Sequence, residues 1–305
     1  MNIQKNYNEL ILKKVLFMLI TILIGLTTIQ AASLDLYEEK TFNVSSGETL
    51  EMEVMGGDIK LAAWDKNEVY IKVFANKNAQ DKLEFTFEKT SSGVFIKSEK
   101  KSSFSWSWSG ISTKFEIMVP RDFVLDLKTS GGDINVRDVK GMKKIKTSGG
   151  DIAILNTVGN LDAKTSGGDI EISKLNGKVD ISTSGGDIDI MDASDDISAS
   201  TSGGDIRIKN SNGKIEAKTS GGDVEVYHKA ENRGMELYSS GGDIKIKFDK
   251  SISADLDLYT TGGKVSCGLS GLKIREMKSN SLDASVNGGG SKIKAKTTGG
   301  DKDID

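Results

Sequence analysis

Residues 164–172 have the sequence Lys-Thr-Ser-Gly-Gly-Asp-Ile-Glu-Ile, one of six close copies of this phrase between residues 128 and 226. Looser copies begin at residues 55, 238, 259 and 296. The aspartates of the six close copies are spaced by 18 residues: Asp133, Asp151, Asp169, Asp187, Asp205 and Asp223. A fixed period of this length is typical of a stacked solenoid, because one coil cannot bury its apolar face without neighbours.

Each repeat contains two short alternating segments. With the aspartate as position zero, apolar residues occupy +1 and +3, as in Ile170 and Ile172, and mostly +10 and +12, as in Val179 and Ile181. Lys143 is an exception at +10. Alternation by two predicts strands with one buried face. This pattern does not match left-handed six-residue repeats, and crossovers between parallel strands prefer a right-handed path. We therefore predict an all-β fold, a single right-handed parallel β-helix of about 18 residues per coil.

The Ser-Gly-Gly-Asp segments are predicted to form one corner of the solenoid. The glycines supply positive φ angles or permit close approach of neighbouring coils. Identical residues in coils about 4.8 Å apart form rows, so Thr and Ser hydroxyls are expected to bond to one another. Stacked aspartates repel by roughly 1 kcal/mol even in water. Bonds from turn N–H groups can offset this repulsion, as can the lysines across the corner, Lys128, Lys146, Lys164 and Lys218.

A row of Ca²⁺ sites is the alternative interpretation of these aspartates. Calcium-binding rolls need an acidic turn every nine residues, so that facing turns supply ligands together. Here the Gly-Gly-Asp turn comes once in 18 residues, with no acidic turn opposite. We therefore predict a structural role for the aspartate row, with no metal and no cofactor.

The ends of the chain differ from its centre. Lys13 and Lys14 precede an apolar run at residues 15–26, which predicts a signal peptide at residues 1–31. An uncleaved anchor is the alternative, although a membrane span needs about 20 apolar residues. Residues 32–120 are interpreted as an N-terminal β-rich cap and residues 121–305 as the solenoid. Lys302 takes an isoleucine position in the last copy, so we expect that coil at an exposed edge.

Composition excludes several classes of partner and bond. The chain has 41 basic and 44 acidic residues, which argues against nucleic acid as a partner. Cys267 is alone, so no intramolecular disulfide can form, and it aligns with an inward position. Membrane contact is expected only transiently, through the signal peptide.

Three groups of residues are candidates for chemistry or binding. Phe104, Trp106 and Trp108 alternate with serine, which indicates either a half-buried strand or an exposed strip that stacks on sugars or touches a membrane. His228, the only histidine, is expected in an exposed loop. Asp187 with Asp189, like Asp195 with Asp196, could serve a glycosidase, but such pairs arise freely in an acidic chain. No catalytic residue is predicted.

The sequence also resembles a bacterial family of exported β-strand-repeat proteins of unknown function, described as putative adhesins. The resemblance lies in residues 55–61 with Trp64 and Asp65, in Val119 and Pro120, in the Thr-Ser-Gly-Gly-Asp-Ile copies and in the glycines at 288–290. It implies a right-handed β-helix exposed in the cell envelope, and it brings no catalytic residues.

These observations favour an exported, non-enzymatic envelope module that is adhesin-like or structural. Its expected location is the periplasm, the cell surface or the medium, and its expected partner is a cell-surface glycan or an envelope protein. A carbohydrate-active β-helix enzyme and an accessory or sensor protein of envelope stress remain the alternatives.

Overall fold

Identical residues of successive repeats lie side by side in the computed structural model, which describes residues 34–101, 110–229, 231–248 and 252–305. Ile152 pairs with Ile170, and Ile170 with Ile188, in parallel register. Corner hydrogen bonds join residues 18 apart, such as Asp151 and Asp169. The prediction of an all-β parallel solenoid with about 18 residues per coil is therefore confirmed.

The described residues form β-strands and one short helix. In chain order they are β1 (Asp35–Asn43), β2 (Thr49–Val54), β3 (Asp58–Trp64), β4 (Glu68–Ala75), α1 (Lys77–Lys82), β5 (Leu83–Lys89), β6 (Gly93–Lys100), β7 (Thr113–Pro120), β8 (Val124–Thr129), β9 (Ile134–Arg137), β10 (Lys143–Lys146), β11 (Ile152–Val158), β12 (Leu161–Lys164), β13 (Ile170–Asn176), β14 (Val179–Ser182), β15 (Ile188–Ala193), β16 (Ile197–Ser200), β17 (Ile206–Lys209), β18 (Ile215–Lys218), β19 (Val224–His228), β20 (Met235–Ser239), β21 (Ile244–Phe248), β22 (Ala254–Thr260), β23 (Val265–Cys267), β24 (Leu272–Lys278), β25 (Ser281–Val286), β26 (Lys292–Thr297) and β27 (Lys302–Ile304).

These strands make two sheets within the described part of the chain. The first has the order β1-β4-β7-β3-β9-β11-β13-β15-β17-β19-β21-β27-β23. The second has the order β24-β25-β22-β26-β20-β18-β16-β14-β12-β10-β8-β2-β6-β5. From β8 to β21, each coil contributes one strand to each sheet in chain order.

The inward residues of both sheets meet in one continuous core. Ile188, Ile190, Ile197 and Ala199 of one coil are at most 2 % exposed. Each buried isoleucine contributes about 1.5–3 kcal/mol relative to an exposed one. Because each coil contacts mainly its two neighbours, the isoleucine rows are what make the stack stable.

The N-terminal strands belong to the same stack. β2 and β3 pair in parallel with β8 and β9 on one side, and with β6 and β7 on the other. β1, β4 and β5 complete that end in antiparallel pairs. Leu34–Asp305 form one compact unit, so the sheets continue through residue 120. The division into cap and solenoid at that residue stays an interpretation of the sequence.

The C-terminal coil corrects one expectation. β26 lies between β20 and β22, and β27 lies between β21 and β23, so the last coil in sequence is an interior coil of the stack. Lys302 is 1 % exposed and pairs with Ile244 and Val265. The expectation of an exposed edge was wrong, because β22 and β23 pair on the outer side of this coil. β24 and β25 then extend the second sheet beyond β22 in antiparallel pairs.

Helices contribute little to this fold. In the part of the chain that the structure describes, no helix is long and apolar enough to cross a lipid bilayer.

Candidate functional site

The aspartates of the Ser-Gly-Gly-Asp corner form a continuous hydrogen-bonded row. The backbone N–H of each one donates to the Oδ1 atom of the aspartate in the preceding coil of the stack, at 2.8 Å for Asp169 to Asp151 and 2.7 Å for Asp187 to Asp169. The row starts at Asp58 and ends at the N–H of Lys264. It includes the six aspartates of the close copies, Asp133, Asp151, Asp169, Asp187, Asp205 and Asp223.

An arginine, and not the lysines across the corner, pairs with aspartates of this row. Arg207 bonds to Asp205 and lies 3.4 Å from Asp187, the two aspartates whose copies have serine in place of lysine. Three of the lysines across the corner instead form ion pairs with carboxylates of their own or the adjacent strand, namely Lys128 with Glu53, Lys164 with Asp162, and Lys218 with Glu216. The expected lysine compensation of the aspartate row was therefore wrong for these three residues.

Threonine and glycine complete the corner. The Thr183 hydroxyl donates to the Gly168 carbonyl of the preceding coil at 2.8 Å, where a Thr-to-Thr bond was expected. A Cβ atom on Gly168 would lie 2.1 Å from the Gly150 carbonyl oxygen, whereas one on Gly167 would meet its nearest atom at 3.5 Å. Gly132 has a φ of 106°, but at Gly168 it is the close approach of coils that requires glycine.

An alanine at position 169 tests the aspartate row. Asp169→Ala removes the acceptor of the Asp187 N–H, and we expect a loss of about 1 kcal/mol in the free energy of unfolding. Asp169→Asn keeps an amide oxygen at the same place and should lose less than half as much. Urea unfolding of both variants measures this difference. An asparagine variant as unstable as the alanine variant would show that the negative charge, and not the acceptor, matters.

The opposite corner carries a feature that the sequence analysis missed. Five non-glycine residues spaced by 18 adopt left-handed backbone angles with φ between 53° and 64°: Asp138, Asn156, Lys174, Asp192 and Asn210. Asn and Asp tolerate this conformation better than other residues. The recurrence of Asn or Asp at this position of most copies was the sequence signal that could have predicted the left-handed corner. The Asn156 amide also donates to the Asp138 carboxylate at 2.6 Å, so this corner is bonded between coils as well.

His228 is buried, and its predicted place in an exposed loop was wrong. It ends β19, where the inward alternation continues to residue 228, and the residue is 1 % exposed. Burial lowers the pKa of its imidazole. Its Nε2 atom lies 3.1 Å from the Glu231 carbonyl oxygen, and its ring meets Phe248 edge-on at 6.1 Å between centroids. These contacts indicate that His228 has a packing role.

The described residues offer little reactive chemistry. No group of three or more His, Cys, Asp or Glu side chains within them is placed to hold a metal ion. Cys267 is half-buried against the core, and burial raises the pKa of its thiol. A raised pKa keeps the thiol protonated and weakly nucleophilic.

One surface cavity lies at the N-terminal end of the corner row. It has a volume of about 590 Å³ and is lined by Met55, Leu83 and Ile111 beside the turn glycines at 56–57 and 131–132. The Thr113 hydroxyl closes one side by donating to the Gly56 carbonyl at 2.8 Å. The cavity is thus apolar on one wall and backbone-lined on the other.

Phe104, Trp106 and Trp108 lie outside the described residues, which resume at Gly110. Their role in ligand contact stays a prediction.

The chain matches a family profile and several solved structures. The profile described as Toastrack DUF4097 matches residues 47–305. A putative adhesin from Bacteroides fragilis is 13 % identical, with 90 % of this chain and 99 % of that chain covered and a TM-score of 0.45. A putative adhesin from Parabacteroides distasonis is 12 % identical, with 89 % and 98 % covered and a TM-score of 0.47. A putative lipid binding protein from the same organism is 14 % identical, with 88 % and 96 % covered and a TM-score of 0.34.

No curated protein shows significant similarity to this sequence. The family profile alone covers most of the chain, from the second strand to the last residue. The chain therefore belongs to the Toastrack DUF4097 family.

Proposed function

We propose that this protein is an exported, non-enzymatic module of the cell envelope that acts through the outer faces of its two sheets. The observation that carries the proposal is that the repeated residues make contacts between coils. Thr, the second Gly and Asp of each corner are engaged in bonds or close contacts between coils. The repeat therefore builds a rigid support. The exposed residues between its buried positions are then the ones that contact a partner.

Location and partner are part of the same proposal. The charged residues before the apolar run at 15–26 support export, to the periplasm or the cell surface. A glycan or an envelope protein suits the extended outer face of a sheet, since small-molecule sites are concave.

A pull-down from isolated cell envelopes and a glycan array test this function. We expect the protein from residue 32 onward to bind an envelope fraction or glycan without releasing reducing sugar. Release of sugar would contradict the proposal and favour a carbohydrate-active enzyme. Failure to bind any envelope fraction or glycan would contradict a binding role.

The double variant Trp106→Ala/Trp108→Ala belongs in the same experiment. If the aromatic strip contacts the ligand, binding should fall at least tenfold while thermal unfolding stays unchanged. Undiminished binding would assign the contact to another surface.

A further inference from the structure

Two exposed tyrosines lie on the outer face of the second sheet, on either side of one lysine. Tyr238 of β20 and Tyr259 of β22 are 40 % and 42 % exposed. Lys296 of β26 lies between them, in register with both. We propose that this tyrosine strip, Tyr238, Lys296 and Tyr259, binds an acidic polysaccharide. The inference rests on the proposed function and assigns it a place and a ligand class.

The backbone holds the strip in a fixed geometry. The neighbours Leu237, Ser239, Leu258 and Thr260 are buried, so the tyrosines point outward by alternation. Two strand spacings separate the tyrosine backbones by about 9–10 Å. That separation is close to the length of a disaccharide. Tyrosine offers a flat apolar ring with a polar tip, which suits stacking on a sugar ring whose edge is hydroxylated.

The charges around the strip favour an anionic ligand. Most acidic groups beside it are already neutralised by ion pairs, namely Glu216 with Lys218, Glu236 with Lys214 at 3.1 Å, and Asp257 with Lys292 at 2.8 Å. On the next strand, Asp283 is paired with Arg275. Among the described residues, Lys294 and Lys296 form no ion pair of their own and act on the Asp257 carboxylate only at longer range. Lys296 can therefore meet a carboxylate or sulfate group carried between two stacked sugar rings.

The same ion pairs argue for binding without cleavage. Glu236 and Asp257 lie on either side of Lys294 in the adjacent row. Bonds from Lys214 and Lys292 hold the pKa values of these two carboxyls below their usual range. A glycosidase needs one carboxylic acid with a raised pKa to protonate the leaving group. This pair does not supply one.

Affinity electrophoresis of the protein from residue 32 onward, in gels that contain polygalacturonate or neutral dextran, tests whether the tyrosine strip binds an acidic polysaccharide. We expect retardation by polygalacturonate only. Tyr238→Ala/Tyr259→Ala should weaken it at least tenfold, and Lys296→Met should reduce its dependence on salt. Leu155→Ala, a similarly exposed apolar position on the first sheet, is the control and should bind as the wild type does. Unchanged thermal unfolding verifies that all variants fold.

The outcomes separate the two proposals. Wild-type binding that survives in the double tyrosine variant overturns the tyrosine strip but leaves the binding function in place. Equal retardation by dextran overturns the acidic ligand class. A wild type that binds an envelope protein but no polysaccharide also overturns the strip, whereas a wild type that binds neither overturns the proposed function itself.

Discussion

Gly168→Ala is expected to destabilise the solenoid strongly, by about 3 kcal/mol or more in the free energy of unfolding. The new methyl group would lie 2.1 Å from the Gly150 carbonyl oxygen and 2.6 Å from the Asp151 carboxylate. Gly150 cannot retreat, because the Thr165 hydroxyl of the next coil bonds to its carbonyl oxygen and the strands before and after it, β10 and β11, are both paired with that coil. Overpacking against a fixed backbone costs about 1–3 kcal/mol and sometimes more.

Gly167→Ala is the matched control, one residue away in the same turn. A Cβ atom there would meet its nearest atom at 3.5 Å, which is ordinary contact. We expect this variant to be as stable as the wild type, or slightly more stable, since alanine restricts the unfolded chain. Urea unfolding followed by circular dichroism measures both variants. Equal losses in the two would show that the close approach of coils is not what requires glycine.

Lys302→Met is expected to stabilise the protein, by about 1–3 kcal/mol. Lys302 is 1 % exposed between Ile244 and Val265, and its Nζ atom has no hydrogen-bond partner. Burial lowers the pKa of its ammonium group to about 8, with a smaller effect of Lys296. Methionine fills a similar volume without a charge, so the desolvation cost disappears.

The gain should depend on pH in a defined direction. An unfolded lysine has a pKa of about 10.4, so the folded state binds fewer protons than the unfolded state between pH 8 and pH 10.4. The wild type therefore becomes more stable as pH rises through this window, and its deficit relative to Lys302→Met is largest below pH 8. Urea unfolding of both proteins at pH 7 and pH 10 measures the change. A difference that is independent of pH would contradict a buried charge as the cause.

Lys143→Met is the control for buried lysines that do have partners. Lys143 is also fully buried, and burial lowers its pKa to about 8. Its Nζ atom donates to the carbonyl oxygens of Gly141, Val158 and Gly159 at 2.8, 2.9 and 3.2 Å. Replacing it should therefore destabilise the protein, since these carbonyls lose a charged donor. If Lys302→Met raises the free energy of unfolding and Lys143→Met lowers it, the effect of hydrogen bonding is distinguished from the effect of burial alone.

The sequence was sufficient to predict the strands of each coil, but not the hydrogen-bond partners of its side chains. The alternation at Ile170 and Ile172 indicated strands, because a buried face of a sheet recurs every two residues. The hydrogen-bond partners of the corner residues were predicted less well. Thr183 donates to the Gly168 carbonyl of the preceding coil at 2.8 Å and not to another hydroxyl. Alternation shows which side chains face inward, but not which backbone acceptor a neighbouring coil brings to them. The burial of His228 was missed, since β19 extends one inward position further than the repeat suggests.

The tyrosine strip shows why the candidate site could not be predicted. Tyr238 and Lys296 are far apart in sequence, and each belongs to an ordinary outward position of its copy. They meet only because β26 enters the sheet between β20 and β22. A repeat predicts which residues of a coil face outward, but not which coil will be its neighbour when the chain folds back.

By itself, the sequence determined the unit of this protein: two strands per coil, an isoleucine-filled interior and a corner made of Gly-Gly-Asp. These features are local, because alternation and turn chemistry act within one repeat and its copies. Only the tertiary structure decided the order of the coils at both ends. At the N-terminal end, β2 lies between β6 and β8, and β3 lies between β7 and β9; at the other end, the last coil is interior. That order depends on pairing between distant segments, where several similar edges compete for the same strand. The burial of Lys302 and the meeting of Tyr238, Lys296 and Tyr259 are consequences of that choice.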